Sequence, residues 1–259
     1  MDARQLSECT ALLTGSSSSI AFEIAAQMAE AGVPRIMLNG RNAERGAEAC
    51  KKLRERAPKV EVDFVVGDMA QESDAIRAVE TTAKRFGSLD ILVNSISGSL
   101  SPRPFHEVPL DAFHRLVHTH LVSTLYTCHA AIPKMIERNG GVIINMSSDA
   151  AKIATPGEAI IGACKAAVVM FSKTLALENS RHGIRVHALT PSIVRGTAGY
   201  AKVMADEFSR KIFEKAEKRA RLGVVEPADI APVAVFLAGP GAAKITGQAI
   251  SVNGGISAG

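Results

Sequence analysis

A chain of 259 residues, 47% hydrophobic and 22% charged, is long enough for one large domain with a sizeable core. Thirty basic against 26 acidic residues give a net charge of +4, and aromatics stand at 4% with no tryptophan, which argues against a nucleic-acid surface or a base-stacking platform. Four scattered cysteines, Cys9, Cys50, Cys128 and Cys164, form no CxxC pair, the N-terminus lacks an apolar signal core, and no uninterrupted apolar run approaches the roughly 20 residues of a membrane span; the expectation is a soluble, cytoplasmic protein in a reducing compartment.

Short β-branched runs alternate with longer helical patterns. A first strand is expected over 9–13, then the turn Thr14-Gly15-Ser16-Ser17-Ser18-Ser19-Ile20-Ala21 and a helix over 19–31. A turn that leaves a strand and opens a helix can aim backbone N–H groups and the positive helix end at a phosphate; a serine-rich helix cap without a ligand is the plain alternative. A strand over 35–38 leads through Asn39-Gly40-Arg41-Asn42 into a helix over 42–56. A third strand, 61–66, ends at Gly67-Asp68-Met69 before a helix over 71–86. A fourth, 90–93, ends at Asn94-Ser95-Ile96-Ser97.

A long helix over 110–138 carries His114, His118 and His120. Without an HExxH pattern or a nearby acidic or cysteine set, no metal is expected there. A fifth strand, 142–145, precedes Ser147-Ser148, and a helix over 155–181 holds Ile161 and Lys165. A sixth strand, 184–189, runs into Pro191-Ser192-Ile193-Val194. Helices over 200–221 and 227–238 and a strand over 249–252 complete the chain. Such alternation predicts a parallel sheet covered by helices on both faces, and right-handed crossovers make it doubly wound. No linker or repeat divides residues 1–259; the stretch 191–223, the longest departure from the rhythm, is a candidate lid. Ligands in such sheets sit beyond the carboxyl ends of the strands.

Over about residues 9–256, these motifs and the Asn253-Gly254-Gly255 turn resemble the short-chain dehydrogenase/reductase family. The resemblance implies a single Rossmann-type domain of about seven strands and a nicotinamide cofactor. Gly15 matches the first glycine of the family's Thr-Gly-x-x-x-Gly-x-Gly turn; Ser19 and Ala21 stand where the other two would be. This implies that Gly15, Ser17, Ser18, Ser19 and Ile20 meet the pyrophosphate. Gly40 occupies the slot of the acid that holds the ribose of NAD, and Arg41 follows it, so NADP(H) is expected over NAD(H). By the same resemblance Asp68, with Met69, meets the adenine. Asn94, Ser95 and Ile96 stand in the Asn-Asn-Ala-Gly segment, and Pro191 and Ile193 in the segment that holds the nicotinamide.

The family's catalytic set is Asn, Ser, Tyr and Lys. Ser148 lies thirteen residues before Ile161, and Lys165 four after it, so both helix positions share a face. His120 stands in the asparagine slot and Ile161 in the tyrosine slot. The resemblance implies that Ser148 donates to a substrate carbonyl and that Lys165 holds the nicotinamide ribose. The tyrosine supplies a proton, which Ile161 cannot; losing a positioned acid costs roughly 10²–10⁴ in rate. His120 is the candidate proton relay, with Tyr200, Tyr126 and Glu158 as further candidates. A reaction needing no strong acid, such as hydride addition to an iminium or an enoyl thioester, is the other solution. The expected function is an NADP(H)-preferring oxidoreductase acting on a small carbonyl, enoyl or imine compound. The alternative is a scaffold that kept the fold and lost redox chemistry. A homodimer or homotetramer through helices 110–138 and 155–181 is implied.

Overall fold

The computed structural model describes residues 3–98 and 101–258. Seven strands form one sheet: β1 (Thr10–Leu13), β2 (Arg35–Gly40), β3 (Glu61–Val66), β4 (Ile91–Asn94), β5 (Gly141–Met146), β6 (Ile184–Leu189) and β7 (Ala249–Ile250). Every pairing is parallel and the order is β3-β2-β1-β4-β5-β6-β7. The order reverses between β1 and β4, which opens a crevice at the carboxyl edge of the sheet. Successive side chains of β1 go to opposite faces: Ala11 and Leu13 join one apolar cluster and Leu12 the other. Burial on both faces is why these strands read as continuous apolar runs rather than alternating ones.

The helices are α1 (Ser19–Glu30), α2 (Ala43–Arg56), α3 (Glu72–Phe86), α4 (Leu110–Val117), α5 (Ser123–Glu137), α6 (Ala159–Asn179), α7 (Ala198–Ala205), α8 (Glu207–Arg219) and α9 (Pro227–Ala238). The helical run expected over 110–138 is interrupted: residues His118–Val122 form a π turn between α4 and α5. Such turns are frequent at functional sites, and the helical spacing of the sequence did not signal this one. The helix expected over 200–221 is two, because Asp206 takes an extended conformation and caps Ser209 N–H at 2.9 Å. The helix expected from 155 starts at Ala159, after a turn in which Gly157 has φ +85°.

The expectation about membrane-length segments needs correction. With the turn after α6, the segment Ala159–His182 is 24 residues long and holds an apolar window of mean hydropathy 1.6, enough to cross a membrane by length and composition. Lys165 and Lys173 break the uninterrupted apolar run, which hid it. Within the fold, Cys164, Lys165, Val168, Ser172, Leu175 and Ala176 of α6 are buried in its contact with the sheet, while Met170 and Leu177 on the outer face are 62% and 78% exposed.

A buried polar chain ties the layers together. Thr127 Oγ1 donates to Asn94 Oδ1 at 2.7 Å, Asn94 Nδ2 to Asn145 Oδ1 at 3.0 Å, and Asn145 Nδ2 to Ser172 Oγ at 2.9 Å. It runs from α5 through β4 and β5 to α6, so the helix that follows His120 and the helix carrying Lys165 are referenced to the same strands.

Candidate active site

Beyond the carboxyl ends of β1, β2 and β4 lies a cavity of about 580 Å³, and beyond β5 and β6 a second of about 360 Å³. Gly15 and Ser95 to Gly98 line both, so they form one groove bent over the β1–β4 crevice.

The floor at the bend is the first turn. Gly15 has φ +63°, and a Cβ there would lie 2.5 Å from the Ser95 carbonyl oxygen, so only glycine fits. Ser19 also has φ +63°, a left-handed conformation at a serine, at the position where the resemblance puts a glycine. The turn is held from β2: Gly15 N–H donates to Asn39 Oδ1 at 3.3 Å, and Ser16 Oγ and N–H are bonded to the Asn39 backbone. Asn39 Nδ2 donates in turn to the carbonyls of Val65 and Gly67. This clip was not anticipated from the sequence; a buried asparagine ending an apolar strand was its one signal.

The larger cavity is walled by Ser17, Gly40, Arg41, Asp68 and Met69. Arg41 is 77% exposed along its side chain and lies 3.9 Å from Asp68, a solvated pair that holds it weakly. Arg45, in the first turn of α2, lines this cavity as well and was missed. Gly40 leaves no carboxylate there. Met69 is buried, so its body packs inward. Asn94 lies below the groove: it is 3% exposed and its amide is spent in the network between β4 and β5. The structure therefore gives Asn94 an architectural place rather than the expected contact. His114 and His118 stack at 4.1 Å between ring centroids.

The smaller cavity gathers Ser18, Ser19 and Ile20 with His120, Ser148, Ile161, Lys165, Pro191 and Ile193. Lys165 is buried, its Nζ donates to the Met146 carbonyl at 2.9 Å, and burial pulls its pKa down to about 8. Ser147 Oγ donates to the Lys165 carbonyl at 2.8 Å, fixing α6 against β5. Ser148 Oγ accepts from Ala150 N–H at 3.2 Å, which leaves its own proton to donate. His120, on the π turn, is 5% exposed, and neither ring nitrogen has a hydrogen-bond partner among the described residues. Burial, then the charge of Lys165, pulls its pKa down to about 3. A neutral imidazole at pH 7 carries one N–H donor and one acceptor nitrogen, so His120 is a hydrogen-bonding group there rather than a standing acid.

The other expected donors separate clearly. Tyr200 lines the cavity, but its hydroxyl donates to Glu217 at 3.1 Å. Tyr126 packs against the apolar cluster. Glu158 stands just before α6 without a side-chain capping bond, lines the cavity, and has its pKa raised to about 7 by burial and then by Asp149. The donor set fits a dinucleotide: arginines at one end, a glycine-floored turn at the bend, and an ammonium with an unpartnered imidazole at the other.

Comparison with known proteins agrees with this geometry. Residues 15–257 match the family model described as enoyl-(acyl carrier protein) reductase. The 3-oxoacyl-(acyl-carrier-protein) reductase of Chlamydia trachomatis is 31% identical over 96% of this chain and 97% of its own. The D-beta-hydroxybutyrate dehydrogenase of Rhizobium meliloti is 30% identical over 96% and 98%. A gluconate 5-dehydrogenase from Burkholderia cenocepacia, solved with NADP and tartrate, superposes with a TM-score of 0.88 at 29% identity, covering 97% of this chain and 96% of that one. By sheet order, groove and whole-length similarity, the chain belongs to the short-chain dehydrogenase/reductase family of NAD(P)-dependent oxidoreductases.

Proposed function

We propose that the protein is an NADPH-preferring reductase of a small carbonyl compound, a 3-oxoacyl thioester being the first class to test. The observation that carries the cofactor preference is the pairing of Arg41 and Arg45 around a cavity where Gly40 replaces a carboxylate. Two guanidinium groups match a 2′-phosphate and would be wasted on a bare 2′-hydroxyl. The relatives named 3-oxoacyl-(acyl-carrier-protein) reductase and D-beta-hydroxybutyrate dehydrogenase support the substrate class.

NADPH, when bound, supplies the hydride. Ser17, Ser18, Ser19 and Ile20 would hold the pyrophosphate, with the N-terminus of α1 behind them. Asp68 and Met69 would border the adenine, and Ser95, Ile96, Pro191 and Ile193 the nicotinamide side. Lys165 would donate to the ribose hydroxyls, and its charge would favour oxygen-centred negative charge nearby. Ser148 donates to the substrate carbonyl oxygen. His120 closes the cavity wall beside Gly98, where even a Cβ would lie 2.5 Å from its Nε2. Residues 191–223 serve as the lid: among the described residues of α7 and α8 only Ser209 is buried, the light packing that a moving segment needs. The exposed Leu110, Met170 and Leu177 support self-association through α4, α5 and α6.

The apolar Ile161 favours a second reading, in which the cofactor is held and not turned over. Titration with NADPH and NADH separates the parts. The expected result is tighter NADPH binding, and a roughly tenfold or greater loss of that preference in Arg41→Ala, the scale of one charge-assisted hydrogen bond. Equal affinity for both cofactors would sink the arginine argument; binding without reduction of any carbonyl would favour the second reading.

A further inference from the structure

Building on the reductase reading, we propose that Glu158 is the proton donor of this site, taking over from the neighbouring position the task that Ile161 cannot perform. Three observations place it. Glu158 lies one helical turn before Ile161 at the mouth of α6 and lines the same cavity as Ser148, Ile161 and Lys165. It also lines an adjoining cavity of about 330 Å³ beneath α8, so Ser148, Glu158, Ser192 and Phe213 form the wall between the two spaces. Among the described residues no cation or hydrogen-bond donor pairs with its carboxyl, whereas Asp149 beside it is engaged by Asn253 and Ser257 and lies 3.8 Å from Lys152. A half-buried carboxyl with no cation or donor beside it keeps its proton to higher pH, and here burial and then Asp149 raise the pKa to about 7.

The titratable and charged groups lining its two cavities come from several elements: Asp149 after β5, Lys165 on α6, His120 on the π turn, Tyr200 and Lys202 on α7, and Lys215 and Arg219 on α8. The segment before α4 packs beside it, with Arg103 N–H donating to the Gly157 carbonyl at 3.1 Å. Of these Asp149 raises its proton affinity.

The step balances without a further reagent. In the direction of reduction the substrate carbonyl carbon receives a hydride, with two electrons, from the reduced nicotinamide, which is left oxidised. The π pair of the C=O bond moves to oxygen, and the oxygen takes the proton of Glu158. The resulting carboxylate is reprotonated from water on the side of the adjoining cavity. A general acid with a pKa near the working pH is well matched to this role.

The test uses Glu158→Gln, Ile161→Tyr and the double variant, with acetoacetyl-CoA and NADPH as probes. Glu158→Gln should bind NADPH as the native protein does and lose roughly 10²–10⁴ in kcat. The native kcat should fall as pH rises through about 7, and that break should vanish in the variant. In the Ile161→Tyr background the same change should cost far less, because the phenol supplies the proton. Independently of turnover, the carboxylic-acid C=O stretch lost in Glu158→Gln should titrate near neutrality in the native infrared spectrum. A carboxyl ionised throughout about pH 6 to 8, an unchanged kcat in Glu158→Gln, or turnover only after Ile161→Tyr each overturns the assignment. Failure of the native protein to bind NADPH instead refutes the reductase reading, and the infrared titration still judges Glu158.

Discussion

Ser19 is held at φ +63° in the turn that opens α1, and replacing it tests the link between local strain and the groove. A left-handed conformation costs an L-residue roughly 1–2 kcal/mol. Ser19→Gly removes that cost but adds roughly 0.5–1 kcal/mol of chain entropy, for a net gain of about 0–1.5 kcal/mol. Ser19→Ala keeps the Cβ and loses only the hydroxyl, so the comparison of Gly with Ala isolates the backbone. The glycine variant should be the more stable by about 1 kcal/mol, or roughly 2–4 °C in Tm for a domain of this size. Thermal unfolding of the cofactor-free protein measures it. An alanine variant as stable as the glycine variant would refute the reasoning, since it would mean that the turn carries no strain. NADPH titration of the same pair reads the hydroxyl: if it donates to the pyrophosphate, both variants lose up to about tenfold in affinity.

Other substitutions address the architecture. A Cβ on Gly46 of α2 would overlap the ring of Phe64, so Gly46→Ala should lower the urea midpoint by the equivalent of about 1–3 kcal/mol despite alanine's better helix propensity; a gain in stability would show that β3 yields easily. Arg185 donates to the carbonyls of Leu237, Ala238, Gly239 and Ala242 at the end of α9, and Arg185→Met should cost about 3–5 kcal/mol by leaving those acceptors unpaired; a near-neutral result in denaturant titration would contradict this. Stability should also fall with acid. His120 and His187 have folded pKa values of about 3 and about 4, below the ordinary 6.5, so the unfolded chain takes up their protons first and stability present above pH 6.5 is lost as pH falls. Glu158 acts in the opposite sense, its pKa being raised from 4.5 to about 7: its contribution is present below pH 4.5 and lost as pH rises through about 7. Urea midpoints between those limits should therefore decline towards acid, and more steeply in Glu158→Gln; a flat native profile would argue against neutral buried histidines.

The sheet and the edge at which the groove lies were legible in the amino-acid pattern. Strand runs buried on both faces, helical spacing between them, and a glycine turn after β1 are local consequences of burial and backbone sterics, and they sufficed to bring Gly15, Arg41, Ser148, Ile161 and Lys165 to one edge. Tertiary structure decided what each group there is able to do. Nothing local announces a π turn at His118–Val122, and that turn seals His120 where burial keeps it neutral. Asn94 looked like a cofactor contact until the asparagine, threonine and serine partners on β5, α5 and α6 took up its amide. Glu158 reads as an ordinary helix-start acid; partial burial between two cavities and the nearby Asp149 make it one that holds its proton. Ionisation and hydrogen bonding depend on the full surroundings of a group, and those surroundings exist only once strands and helices far apart in the chain have packed.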